Sequence, residues 1–132
     1  MAIYHIGTCS WTEKTLIEDG SFYPPQLKNP AERLNFYAQH FNTVEVDSTF
    51  YAFPAERNAR LWVERTPSSF LFNIKSFSLF TFHKTSLSVI PQFLKEELPE
   101  RLQKRPHFYL PEVPEEWLKI ALSAFLSAIN PL

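Results

Sequence analysis

Glycine is nearly missing from this 132-residue chain, with Gly7 and Gly20 its only two. That excludes a glycine-rich cradle of the kind that approaches a phosphate through bare backbone. Cysteine is rarer still. Cys9 alone cannot form an internal disulfide, so a reducing, cytoplasmic setting is expected. No apolar run approaches the length that crosses a bilayer. The start MAIYHIGTCSW lacks the basic region and apolar centre of a signal peptide, so no membrane partner is expected. The net charge of −1 supplies no field to attract nucleic acid. The one basic run, Arg101-Leu102-Gln103-Lys104-Arg105, sits beside Glu96, Glu97 and Glu100 and reads as a solvated face. Close metal-ligand spacings such as HExxH are absent, so no metal site is assigned and the cofactor is left open.

What the chain does have is aromatic bulk. Thirteen phenylalanines against one methionine predict a core of rigid rings. The length fits one domain, residues 1–132. Ile3 to Thr8 reads as a short strand ending at Gly7-Thr8. Asn29 and Pro30 open a helix whose stripe is Ala31, Leu34, Tyr37, Ala38 and Phe41. Thr43 to Asp47 alternates valine with carboxylate and predicts a second strand. A second helix over about Ala55 to Arg65 stops at Thr66-Pro67, before a third strand, Phe70 to Lys75. From about 76 to 113 the pattern weakens and predicts a long loop, with a helical hint at Phe93, Leu94, Leu98 and Leu102. Pro114-Glu115-Glu116 opens a last helix with Trp117, Ile120, Ala121, Ala124, Phe125, Ala128 and Ile129 on one face.

Strands alternating with helices predict parallel strands joined by right-handed crossovers. Val44, Val46, Phe72 and Ile74 then meet the helices, as do Tyr4 and Ile6. Glu45 and Asp47 face the other way, with Asn73, Lys75, His5 and Gly7. A sheet covered on both faces wants that second face apolar, whereas a barrel encloses polar groups near the C-terminal ends of its strands. The polar face therefore favours a barrel, yet an eight-unit barrel takes roughly 250 residues.

Several ordered motifs resemble one family: Ile6-Gly7-Thr8-Cys9-Ser10-Trp11, Gly20-Ser21-Phe22-Tyr23-Pro24, and Phe41 through Tyr51, written FNTVEVDSTFY. Trp62, Thr66 through Lys75, and Thr81 with His83 extend the likeness to the YecE-like family, domain of unknown function 72. The resemblance implies an α/β, TIM-type parallel barrel with no assigned reaction. Family members are typically close to twice this length, so the chain is expected to be a partial barrel of about three strand–helix units. Phe82 stands where many relatives have a smaller residue.

The candidate site follows from facing and strand ends. Glu45 and Lys75, on neighbouring strands, are expected to meet, either as an acid–base pair or as an interior salt bridge. Asp47 lies toward the C-terminal rim, where barrel enzymes place their groups, or serves a turn, and His83 in the loop at the same rim is an acid–base group, a ligand or neither. Trp11, Tyr23 and Tyr51 stack a small polar ligand or fill the barrel mouth. Cys9 has no evident adjacent base and His5 reads as a core hydrogen-bonder. Two functions follow: an enzyme on a small polar molecule, or a non-catalytic binding module, with an inactive fragment as the third reading. Open strand edges are expected to favour self-association.

Overall fold

Strand β1 (Thr43–Val46) pairs in parallel with β2 (Leu71–Ile74), in the register Thr43 with Leu71, Val44 with Phe72, Glu45 with Asn73 and Val46 with Ile74. This is a computed structural model describing residues 1–132. It packs as two compact units: Met1–Asp47 with Arg57–Ile74 and Pro131–Leu132, and Ser48–Glu56 with Lys75–Asn130.

In the first unit the period-two pattern holds. Val44 and Val46 are buried and share one cluster with Leu34 and Tyr37 of α2 (Pro30–Tyr37), Trp62 of α4 (Glu56–Glu64), and Phe72 and Ile74. Helix α2 begins as its sequence demands: Asn29 Oδ1 accepts from Glu32 N at 2.9 Å and Pro30 occupies the first turn. A short α1 (Lys14–Glu18) adds Leu16 and Ile17 to the cluster. Phe22 sits among the rings of Tyr23, Phe36 and Phe41, with centroids 4.7, 5.5 and 5.6 Å away. The phenylalanine-rich core therefore forms as edge-to-face and tilted pairs, the arrangements that ring quadrupoles favour.

The first strand departs from expectation. Residues 3–8 are extended beside β1 but form no regular strand, the ladder shrinking to a Cys9–Glu45 parallel bridge. Glu45 N donates to Thr8 O at 3.0 Å and Ser10 N to Glu45 O at 2.8 Å. The Asn42 side chain replaces the missing ladder, accepting from Ile6 N at 3.1 Å and donating to Tyr4 O at 3.4 Å. Tyr4 and Ile6 do not meet the helices. They are 79% and 68% exposed, because nothing in the unit packs over that stretch. The lateral order is first segment, then β1, then β2. Gly7 makes the close approach feasible: an added Cβ would collide with the Thr43 carbonyl oxygen and lie 2.7 Å from its carbon.

The second unit corrects the expected loop at 76–113, which carries seven short elements. These are 3-10 turns at Ser78–Thr81, Leu87–Val89 and Leu110–Glu112, strands β3 (Thr85–Ser86) and β4 (His107–Phe108), and helices α5 (Gln92–Glu96) and α6 (Glu100–Gln103). Strands β3 and β4 pair antiparallel, Thr85 opposite Phe108. Pro114 immediately precedes α7 (Glu115–Ile129), as its sequence predicts, and Pro91 and Pro99 likewise start α5 and α6 within the stretch expected to be a loop. Trp117, Ala121 and Phe125 of α7 are buried, and Trp117 Nε1 donates to Leu94 O at 2.7 Å. Ile120, expected on that face, is 47% exposed because the buried stripe recurs every fourth residue from 117. Arg101 and Arg105 of the basic run bind Glu112, through its carbonyl and its carboxylate.

The result is a mixed α/β fold with parallel strands. No helix is long and apolar enough to cross a membrane.

Candidate functional site

The strand geometry that buries Val44 and Val46 turns Glu45 to the opposite face, where it is half-buried. Its parallel partners in register are Cys9 on one side and Asn73 on the other. The Cys9 thiol donates to Glu45 Oε1 at 3.4 Å, ordinary for sulfur. Asn73 Nδ2 donates to Thr43 Oγ1 at 2.7 Å, and that hydroxyl donates to Leu71 O at 2.9 Å. A polar row, Cys9–Glu45–Asn73, thus crosses three extended segments on the face away from the apolar layer. Asp47, one residue past β1, is half-buried at the C-terminal end of this face.

Cys9 is exposed and has a carboxylate beside it, contrary to the expectation of an inert thiol without a base. That base lies 36 residues away in sequence and is brought in by parallel pairing, which local spacing cannot reveal. Chemically, a carboxylate with a thiol donor at one oxygen is a proton acceptor already oriented along the sheet. His5 is exposed and is no core hydrogen-bonder.

Two of the expected stacking rings are structural. Trp11 is 7% exposed, its indole N–H donating to Pro30 O at 3.2 Å and its ring edge-on to Trp62 at 5.3 Å. Tyr23 is 5% exposed and donates its hydroxyl to Trp11 O at 2.5 Å. Burial pushes the Tyr23 phenol up to about 12, with Tyr37 adding to the rise and Arg33 opposing it. Both rings reach backbone carbonyls with their polar tips, which lets them join the core and removes them from any ligand surface.

The second unit gathers a different set of candidates. Tyr51 of α3 (Ser48–Tyr51) is 66% exposed and lies edge-on to Phe50, with centroids 5.1 Å apart. Phe50, not among the candidate residues read from the sequence, is the hub here. The His83 imidazole meets it edge-on at 5.1 Å, and Lys75 Nζ lies 5.9 Å from its centroid. Thr49 Oγ1 donates to Lys75 O at 2.6 Å and fixes the backbone there. His83 Nδ1 is 2.9 Å from Thr81 Oγ1. No group of three or more His, Cys, Asp or Glu side chains is placed to hold a metal ion.

The family model described as "Protein of unknown function DUF72" matches residues 5–132. The UPF0759 protein YunF of Bacillus subtilis (strain 168) is 35% identical over 94 residues, covering 71% of this chain and 30% of that protein. A crystal structure of a DUF72 family protein from Enterococcus faecalis V583 is 23% identical, with a TM-score of 0.43, covering 74% of this chain and 29% of that one. The chain spans about 30% of the length of the curated relative it matches. With the family model matched over residues 5–132, the chain belongs to the DUF72 family of proteins of unknown function.

Proposed function

We propose that this chain contributes an acid–base site for a small polar molecule, with Glu45 as the proton-transferring carboxylate. The supporting observation is the position of Glu45: held between Cys9 and Asn73 on the polar face, while Val44 and Val46 on either side of it are buried. A carboxylate fixed by strand pairing and half-open to solvent has the two properties a general acid or base needs, orientation and access. Asp47 orients substrate at the strand's C-terminal end. Within the second unit, Lys75, Tyr51 and His83 are arranged about Phe50 as a separate group of a cation, a phenol and an imidazole. The parallel pair with its helices fits part of a TIM-type barrel, a fold whose chemistry sits at that end of the strands. The reaction stays unnamed, since fold does not choose chemistry.

A non-catalytic binding module is the second reading, favoured by the exposure of Tyr51 (66%) and Phe82 (69%). Thermal-shift screening of a pool of small polar metabolites, with wild type and Glu45→Gln side by side, separates the two. An enzyme gives shifts with both proteins and product with wild type alone. A binding module gives shifts with both and product with neither.

A further inference from the structure

We infer that Thr81 fixes neutral His83 as its Nδ1–H tautomer, and so presents Nε2 as the proton acceptor for a hydroxyl- or amine-bearing ligand. The argument counts donors. Thr81 Oγ1 lies 3.1 Å from Ser78 O, and a carbonyl only accepts, so the single hydroxyl proton goes there. Toward His83 Nδ1, at 2.9 Å, the same oxygen has only a lone pair to offer. The proton in that contact therefore belongs to the imidazole, and the other ring nitrogen carries the lone pair.

The surrounding turn holds the ring in place. His83 N donates to Ser78 O at 3.0 Å, and the buried Thr85 hydroxyl donates to His83 O at 3.1 Å. With the Thr85 proton committed there, the buried Ser78 hydroxyl donates to Thr85 Oγ1 at 3.3 Å. Phe82 closes the turn at φ +63°, a left-handed conformation that is strained for a non-glycine residue. Phe50 backs the imidazole edge-on. Yet His83 itself is exposed. A strained backbone and two buried hydroxyls position a side chain whose ring remains open to solvent, which is what a ligand-facing base requires and a buried structural histidine does not. Thr81 is the positioning residue. The inference stands on the second unit alone and does not need Glu45 to act.

The test is long-range ¹⁵N NMR of the imidazole rings in the whole chain, at a pH where they are neutral. His83 is expected to show a protonated Nδ1 and a bare Nε2. Thr81→Ser keeps that pattern, and Thr81→Val moves the proton mainly to Nε2. His40, whose Nδ1 faces Phe36 O at 2.9 Å, stays Nδ1–H in all three proteins and serves as the control. Diethyl pyrocarbonate, which acylates an unprotonated ring nitrogen, is expected to modify wild-type His83 at Nε2. A wild-type Nε2–H tautomer, an averaged mixture, or acylation confined to Nδ1 overturns the inference without reference to either variant.

Discussion

Removing one oxygen from the centre of the first unit should loosen the segment that carries Cys9. Tyr37 is fully buried, and its hydroxyl accepts from Thr8 N at 2.7 Å while lying 3.1 Å from Thr43 O, to which it donates. Tyr37→Phe keeps the ring, and with it the Phe41 contact at 4.8 Å, but deletes both bonds and the hydroxyl's 2.9 Å contact with Thr8 Oγ1. Thr43 O then loses its side-chain donor inside the protein, while the half-exposed Thr8 N–H regains some water. An unsatisfied buried group costs about 1–3 kcal/mol and a replaced one less, so the total is about 2 kcal/mol. With a urea dependence near 2 kcal/mol/M for a small protein, the midpoint should fall by about 1 M. Hydrogen exchange should quicken at Glu45 N, whose acceptor is Thr8 O, and not in α7. An unchanged midpoint would refute the idea that this hydroxyl ties the first segment to β1. A loss above about 5 kcal/mol would instead point to disrupted ring packing.

Gly7→Ala should displace the same segment by backbone collision with Thr43, at a cost of about 2–4 kcal/mol. Unaltered exchange at Ser10 N would count against that. Phe82→Gly should stabilise the protein by about 0.5–1 kcal/mol, the relief of the left-handed strain less the entropy glycine brings. A lower urea midpoint for this variant would contradict the strain argument. The Tyr23 phenol, raised by burial above its ordinary value near 10, makes stability depend on alkaline pH. The folded state holds the proton more tightly, so stability is intact below about pH 10 and declines as pH rises toward 12. Denaturation at stepped pH should show that slope in wild type and lose it in Tyr23→Phe.

Legibility in the sequence tracked how local the determining physics was. Alternation in Thr43–Val46 needs only neighbours two residues apart, so the facing of Glu45 and the buried valines were readable. Tyr4 and Ile6 carry the same alternation but face no helix, and periodicity cannot say what lies opposite. The stretch 76–113 is built from turns closed by hydrogen bonds over a few residues, as at Ser78–Thr85, with no repeating apolar period to detect. Trp11 and Tyr23 read as rim rings because chain position placed them after a strand. Their burial depends on carbonyls 19 and 12 residues away. Glu45 was found from its own strand, whereas its partner Cys9 emerged only from parallel register.

The pH dependence of turnover, compared between wild type and Glu45→Gln at saturating ligand, tests the central proposal most directly. A carboxylate working as general acid or base contributes about 10²–10⁴-fold. The account predicts a loss of that size in turnover with binding nearly unchanged, and the disappearance of the carboxylate limb from the profile. Equal turnover in the two proteins, with the limb still present in Glu45→Gln, would contradict it.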